Sequence, residues 1–78
     1  MMKIFLTRML PESAVQMLVD AFGRECVSIY PHDRVIHRDE LLEGVQGVDA
    51  LLPILTERID ADILDAAGPN LKIVANYA

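Results

Sequence analysis

Two near-continuous apolar runs, at residues 48–55 and 71–78, constrain the fold more than any other feature of this sequence. A strand covered on both faces of a parallel sheet has this composition, whereas a strand with one solvated face alternates apolar and polar residues. Segments with helical spacing and turn residues separate the apolar runs along the chain. Strands joined by helices in this way form parallel sheets with right-handed crossovers. The sequence therefore predicts an α/β fold with helices on both faces of a parallel sheet.

Capping residues set the bounds of the predicted helices. Pro11 and Glu12 suit the first turn of a helix, and Gly23 suits its end. Asp60 is a favoured N-cap residue, and Gly68 ends the helix that follows it. The predicted helices therefore span residues 11–22, 37–43 and 61–67. The predicted strands span residues 4–7, 25–30, 48–52 and 71–77.

The second predicted strand differs from the others because it alternates. Val27 and Ile29 fall on one side of it, and Cys26, Ser28 and Tyr30 fall on the other. Such alternation is typical of a strand at the edge of a sheet. Since the other three strands are apolar, we predict the spatial order 2-1-3-4.

Charge and composition exclude several classes of function. The net charge of −5 opposes binding to a nucleic-acid backbone. No window holds the roughly 18 apolar residues of a membrane span, and Lys3 and Arg8 interrupt the first apolar segment without a signal-peptide cleavage pattern. The single cysteine, Cys26, allows no internal disulfide. We therefore expect a cytoplasmic globular protein that binds neither nucleic acid nor membrane.

Ligands of parallel sheets bind beyond the carboxyl ends of the strands, so the residues there are the first candidates for chemistry. Arg8 follows the first strand and is suited to pair with an anion, but a lone arginine in such a loop is more often a solvated surface residue. His32 and His37 are suited to acid–base chemistry. Both lie in polar stretches without a carboxylate or serine pattern beside them. We predict no catalytic role for these three residues.

Cofactor and metal sites have little support in the sequence. Gly44 and Gly47 follow a helix and precede a strand, which is the reverse of a phosphate-binding loop. Asp60, Asp62 and Asp65 crowd one short helix, but capping and the helix dipole account for the first two. We predict no metal site and no cofactor-binding residue in this chain.

Two segments resemble a known family: LLPILTERID at residues 51–60 and LDAAGPNLKIVANYA at residues 64–78. They are similar to the D-isomer-specific 2-hydroxyacid dehydrogenases, and most of all to the glyoxylate and hydroxypyruvate reductase branch. KIFLTR at residues 3–8 also fits that family. The resemblance implies a flavodoxin-like sheet, here incomplete, with residues 1–78 as the amino-terminal portion of the substrate domain. It also implies that the Rossmann cofactor domain is absent from this chain.

The resemblance further implies a function for the parent protein. The parent would transfer a hydride between NAD or NADP and a small 2-keto or 2-hydroxy acid, of the glyoxylate or hydroxypyruvate type, and would be a homodimer. Two substrate-binding positions carry over: Leu55, as an apolar wall, and Ala78, at the approach to the turn that holds the substrate carboxylate. Without the resemblance, Leu55 would be read as an ordinary loop leucine. No catalytic residue carries over, so we expect the 78-residue piece to be inactive and to bind no dinucleotide.

The end of the chain leads to two further expectations. Because the last apolar run has no polar tail, we expect more chain to follow Ala78. Without it, the fourth strand is an exposed apolar edge, and we expect the isolated piece to associate through that edge. The alternative is a stand-alone flavodoxin-like binding or assembly module without catalytic activity. A reading frame that continues past Ala78 into a glycine-rich strand–helix unit would favour the dehydrogenase.

Overall fold

A computed structural model describes residues 2–32, 34–54 and 59–75. Within these residues, parallel strands form one sheet in the order β2-β1-β3-β4. In chain order the strands are β1 (Ile4–Leu6), β2 (Val27–Ile29), β3 (Ala50–Leu52) and β4 (Ile73–Val74). The predicted fold class and the predicted strand order are both confirmed.

The helices that join the strands are α1 (Glu12–Phe22), α2 (Arg38–Gly44) and α3 (Ala61–Ala67). The predicted capping residues flank α1 and α3, whereas α2 lies one residue later than the predicted range of 37–43. Pro11 precedes α1, and Gly23 ends it with a φ of 95°, which favours glycine. The Asp60 carboxylate caps α3 by accepting a hydrogen bond from the Ile63 N–H at 3.3 Å, and Gly68 ends that helix with a φ of 84°. No helix in the described part of the chain is long and apolar enough to cross a membrane.

Each face of the sheet carries its own apolar cluster, because successive strand residues point to opposite faces. On the α1 side, the buried residues are Ile4, Leu6, Leu10 and Ala50. On the side of α2 and α3, they are Phe5, Tyr30, Ile36, Leu41, Val45, Val48, Leu51, Ile63 and Ala67. We call the second set the α2/α3 cluster. Helices therefore cover both faces, as predicted.

The strands are shorter than predicted, and β2 and β4 differ most from their predicted ranges. The predicted strand at 25–30 begins with one turn of 3-10 helix, Arg24–Cys26, in which the Cys26 N–H donates to the Gly23 carbonyl oxygen at 3.1 Å. This turn uses the backbone groups that a longer strand would need. The predicted strand at 71–77 is reduced to Ile73–Val74 in the structure, and its last two positions lie outside the described residues.

The apolar stripe of α1 covers the sheet with only part of its length. The spacing of apolar residues in the sequence predicts that one stripe of α1 faces the sheet, formed by Ala14, Val15, Leu18, Ala21 and Phe22. Ala14, Val15 and Leu18 do pack against the apolar cluster on the α1 side of the sheet. Ala21 is exposed, and Phe22 is 44% exposed, so the prediction that they face the sheet is wrong. Both residues lie in the last turn of α1, beside the end at Gly23.

Candidate functional site

The carboxyl ends of the parallel strands lie at one edge of the sheet, which we call the carboxyl edge. From β1 the chain moves outward to β2, and from β2 it returns past β1 to β3 and then to β4. The direction of winding therefore reverses between β1 and β3. In open α/β sheets, ligands bind in the crevice at such a reversal. The crevice between the carboxyl ends of β1 and β3 is the candidate site.

Thr7 and Pro53 directly follow β1 and β3 at the base of this crevice, and both side chains are fully buried. The Thr7 N–H donates to the Leu52 carbonyl oxygen at 3.4 Å, so the two strand ends remain paired. Arg8 and Ile54 come next and are half-buried. Arg8 is therefore not the solvated surface residue that the sequence suggested, because its Nε is enclosed by the protein.

Leu55 and Ala78, the two predicted substrate-binding residues, lie outside the described residues. Leu55 is next to Ile54 in the sequence, directly after the half-buried residue at the mouth of the crevice. Ala78 follows the end of β4, whose backbone remains paired with β3 because the Ala75 N–H donates to the Leu51 carbonyl oxygen at 3.0 Å. Both assignments stay predictions.

A polar cluster at the end of β2 is the main feature of the carboxyl edge that sequence reasoning missed. Oε1 of Glu40 accepts hydrogen bonds from the Tyr30 hydroxyl at 2.8 Å, from Nη1 of Arg34 at 3.2 Å and from the His37 N–H at 3.1 Å. The Arg34 guanidinium also lies over the Tyr30 ring, 5.4 Å from its centroid. We call Tyr30, Arg34, His37 and Glu40 the Glu40 cluster.

These contacts lower the pKa of Glu40 and raise the pKa of Tyr30. The hydrogen bond from Tyr30 is the largest influence on Glu40, and together with the His37 N–H and Arg34 it lowers the Glu40 pKa from 4.5 to about 2. Burial, followed by the hydrogen bond to Glu40, raises the pKa of Tyr30 above 10.0. Neither group titrates near neutral pH, which a general acid or base requires. The Glu40 cluster is therefore a structural network rather than an acid–base pair.

The two histidines border this cluster. The His37 side chain caps the start of α2, and its Nδ1 lies 3.5 Å from Oε1 of Glu40. The His32 ring meets the Tyr30 ring edge-on, with 5.2 Å between centroids. These contacts are with Tyr30 at the end of β2 and with Glu40 on α2, and neither residue belongs to β1 or β3.

A surface cavity of about 280 Å³ opens between β2 and α2. Its lining residues are Phe5, Ile29, Tyr30, Pro31, Glu40, Glu43 and Gly44. The two carboxylates disfavour an anionic ligand through like-charge repulsion. None of the lining residues belongs to β3.

An ion pair joins the start of α2 to the start of α3. Nη2 of Arg38 lies 2.7 Å from Oδ1 and 2.8 Å from Oδ2 of Asp60, and 3.8 Å from Oδ2 of Asp62. Asp60 therefore has a capping role, as predicted, and also an ion-pair role, which was not predicted. Arg38 precedes Asp60 by 22 residues, so no local sequence pattern indicates the contact.

The segment that holds Gly44 and Gly47 leads to the amino end of β3, at the opposite edge of the sheet from the crevice. Gly47 donates its N–H to the Ala67 carbonyl oxygen at 3.2 Å, so this group holds α3 rather than pointing at a ligand. In the ranges that the structure describes, no three histidine, cysteine, aspartate or glutamate side chains form a group that could hold a metal ion.

Comparison with known proteins yields a match over nearly the whole chain. The sequence-family model for the D-isomer specific 2-hydroxyacid dehydrogenase catalytic domain matches residues 4–78 of this chain. A glyoxylate reductase from Thermococcus kodakarensis is 49% identical over 76 residues, and one from Pyrococcus furiosus is 46% identical over 76 residues. These alignments cover 97% of this chain but 22% and 21% of the relatives. The chain thus spans about a fifth of the length of the curated relatives it matches.

Solved structures share the same arrangement of strands and helices. The TT0316 protein from Thermus thermophilus superimposes with a TM-score of 0.74 at 32% identity, covering 99% of this chain and 24% of that one. A Polaromonas protein described as a D-isomer specific 2-hydroxyacid dehydrogenase superimposes with a TM-score of 0.85 over 97% of this chain and 23% of that one. Its 24% identity supports the fold alone.

Proposed function

This chain belongs to the D-isomer specific 2-hydroxyacid dehydrogenase family, and from that membership we propose that residues 1–78 are the amino-terminal portion of the substrate domain of an NAD- or NADP-dependent enzyme. The enzyme would transfer a hydride between the nicotinamide and a small 2-keto or 2-hydroxy acid. Identities of 49% and 46% to proteins named glyoxylate reductase support a substrate of the glyoxylate or hydroxypyruvate type.

The observation that carries this proposal is the reversal of winding between β1 and β3. The chain leaves β3 through Pro53 and Ile54, and Leu55, the next residue in the sequence, would border the crevice. A small 2-keto acid in the crevice would meet mostly apolar surface on this side. Such a surface selects the size of the substrate side chain and excludes water from the path of the hydride.

Two residues of this chain are proposed to contact the substrate. Leu55 would form the apolar wall beside the substrate side chain. Ala78 would approach the substrate carboxylate, at the end of the strand that follows α3. Both positions follow strands that are adjacent in the sheet, β3 and β4, and this adjacency supports their placement at one site.

The residues of this chain do not fit the nicotinamide dinucleotide. A dinucleotide needs a glycine-rich turn from a strand into a helix, whose N–H groups bind the pyrophosphate. Here the glycines at 44 and 47 lead from a helix into a strand, and the Gly47 N–H is bonded to Ala67. We therefore assign the cofactor, and the groups that act on the keto oxygen, to parts of the parent protein outside these residues. The 78-residue piece would be inactive.

The proposal also covers assembly and location. We propose that the parent is a homodimer, as the resemblance to the family implies. We also propose that the parent is a cytoplasmic enzyme.

The test uses the full-length protein expressed from the complete reading frame. Oxidation of NADH or NADPH is followed by absorbance with glyoxylate and with hydroxypyruvate, and turnover of at least one acid is expected. In a Leu55→Ala variant, the preference for a bulkier 2-keto acid over glyoxylate should rise by about tenfold, the lower end of what one or a few methylene groups contribute in an apolar pocket.

Leu64→Ala is the matched control, because Leu64 is an exposed leucine on α3. It should leave the preference unchanged. No turnover of either acid with either nucleotide would refute the proposed function. An active enzyme whose preference is the same in the Leu55→Ala variant would refute the role of Leu55 alone.

A further inference from the structure

We propose that the surface cavity between β2 and α2 binds a small organic ammonium ion, which is an amine that is protonated at neutral pH and carries a compact apolar group. The cavity is distinct from the crevice, because its walls come from β1, from the end of β2 and from α2. The inference goes beyond the proposed function and does not depend on it.

The cavity is small and has mostly apolar walls. Phe5, Ile29 and Pro31 supply carbon surface, and Gly44 has no side chain, which lets α2 approach the Phe5 ring. The volume of about 280 Å³ lies just below the range of ordinary ligand pockets, so it suits a ligand of few atoms. An apolar group of that size would be partly withdrawn from water here.

The polar side chains of the lining can only accept hydrogen bonds from a ligand. The Tyr30 hydroxyl donates its one proton to Glu40 at 2.8 Å, so its oxygen is left as an acceptor. Ionised carboxylates, such as those of Glu40 and Glu43, are acceptors only. The Tyr30 N–H is bonded to the Leu6 carbonyl oxygen at 2.9 Å, and Pro31 has no N–H. The cavity therefore favours a ligand that donates hydrogen bonds.

The charge of the lining favours a cation over a neutral donor. The hydrogen bonds from Tyr30, from the His37 N–H and from Arg34 lower the Glu40 pKa to about 2, so Glu40 is ionised at neutral pH. All three bonds end on Oε1, and Oε2 accepts none from the described residues. Arg34 offsets the charge of Glu40. Glu43 has no side-chain partner in the described ranges, so its negative charge is not offset.

The acceptors are spaced to share one ammonium group. Glu40 and Glu43 lie at positions i and i+3 of α2, where side chains share a face and Cβ atoms are about 5–6 Å apart. An ammonium group has three N–H donors, which match two carboxylates and the Tyr30 oxygen. Tyr30 is only 5% exposed, and Glu40 is held by its hydrogen bonds, so two of these acceptors are fixed before a ligand arrives.

The experiment titrates the full-length protein with benzylamine at pH 7 and low salt, followed by ligand-detected NMR. Benzylamine is a compact amine that is protonated at this pH. We expect saturable binding with a dissociation constant of about 1 mM, which is within reach of a ligand with so few atoms. Benzyl alcohol, the neutral analogue, should bind about fivefold more weakly. Benzoate should show no saturable binding, because like charges repel.

Substitutions on α2 test whether the cavity is the site. Glu43→Gln should weaken benzylamine binding by about twofold to fivefold, the range for a solvent-exposed charge pair. Glu43→Lys should abolish saturable binding, because it brings an ammonium group of the protein itself to the cavity. Both variants should keep the circular dichroism spectrum of the wild type, since Glu43 is exposed.

Glu12→Gln is the matched control. It makes the same change in net charge at an exposed residue of α1, which packs against the opposite face of the sheet. The affinity for benzylamine should stay the same in this variant.

The inference is overturned if benzylamine shows no saturable binding up to about 50 mM, or if benzyl alcohol binds as tightly as benzylamine. It is also overturned if Glu12→Gln weakens binding as much as Glu43→Gln does. None of these measurements requires turnover of a 2-keto acid, so each of these results leaves the proposed function standing. Conversely, an inactive protein that binds benzylamine in this pattern would support the cavity site while refuting the proposed function.

Discussion

At the scale of single residues, Glu40 links stability to pH. Its pKa falls from 4.5 to about 2 in the folded chain, so folding favours the ionised carboxylate. The resulting stabilisation is fully present above about pH 4.5 and is lost as the pH falls towards 2. We predict that Glu40→Gln lowers the free energy of unfolding at pH 7 and that the difference from the wild type narrows between about pH 4.5 and 2. Urea unfolding over this pH range, followed by circular dichroism, measures the difference.

Glu43→Gln is the control for this measurement, because Glu43 is an exposed carboxylate on the same helix. The difference in free energy of unfolding between Glu43→Gln and the wild type should not become smaller at acidic pH as it does for Glu40→Gln. If the free energies of unfolding of Glu40→Gln and the wild type differ by the same amount at neutral and acidic pH, the Glu40 cluster does not stabilise the carboxylate.

Also at the residue scale, position 44 requires glycine because the Phe5 ring lies close to its Cα, and not because of its backbone angles. A Cβ at this position would lie 2.7 Å from Cζ and 2.9 Å from Cε2 of Phe5, whose ring is buried. Gly44→Ala should therefore destabilise the protein by about 1–3 kcal/mol through overpacking, offset by up to about 1 kcal/mol of helix propensity. The midpoint of urea unfolding measures this loss of stability. In a Phe5→Leu background, Gly44→Ala should cause little loss of stability. An equal penalty in both backgrounds would contradict the explanation.

At the scale of elements, β4 is the least covered strand. Ile73 and Val74 are 52% and 41% exposed, and among the described residues β4 pairs only with β3. Exposed apolar edges recruit other strands, so we predict that the 78-residue polypeptide self-associates at about 0.1 mM, above the micromolar range where such edges begin to aggregate. Ile73→Lys should give a monomer in sedimentation velocity. Since Ile73 is half-exposed, the cost in stability should be only about 0.5 kcal/mol.

Met17→Lys tests whether any added charge suppresses association. Met17 is 73% exposed on α1, away from the strand edges. This variant should associate like the wild type. A wild-type polypeptide that sediments as a monomer would show that the β4 edge is not a docking surface.

At the scale of the whole molecule, the fold has a crevice at the reversal of winding between β1 and β3, and none of its glycines lies in a turn from a strand into a helix. We predict that calorimetric titration of the 78-residue polypeptide with NADH or NADPH shows no saturable heat, because the sequence has no glycine-rich strand-to-helix turn to present N–H groups to a pyrophosphate. The full-length protein should bind one of the two nucleotides under the same conditions. A dissociation constant below about 1 mM for the short polypeptide, about −4 kcal/mol, would contradict this view.

The fold class, the strand order and the ends of α1 and α3 could be predicted from the sequence alone. These features depend on signals that act within a few residues. Gly23 and Gly68 end helices through their own backbone freedom, Asp60 caps the helix that it precedes, and the alternation around Val27 and Ile29 marks an edge strand. Such signals read the same way in any tertiary context, so they could be interpreted without coordinates.

The side-chain contacts at the carboxyl edge could not be predicted from the sequence. Tyr30 and Glu40 are 10 residues apart, and Arg38 and Asp60 are 22 residues apart. Their contacts depend on the angle and height at which α2 packs over the sheet, which no local pattern specifies. Phe22 is likewise exposed, although the apolar spacing of α1 predicts that it faces the sheet. The period of the apolar residues predicts which face of a helix a side chain occupies. Whether that side chain is buried depends on how the helix packs against its neighbours.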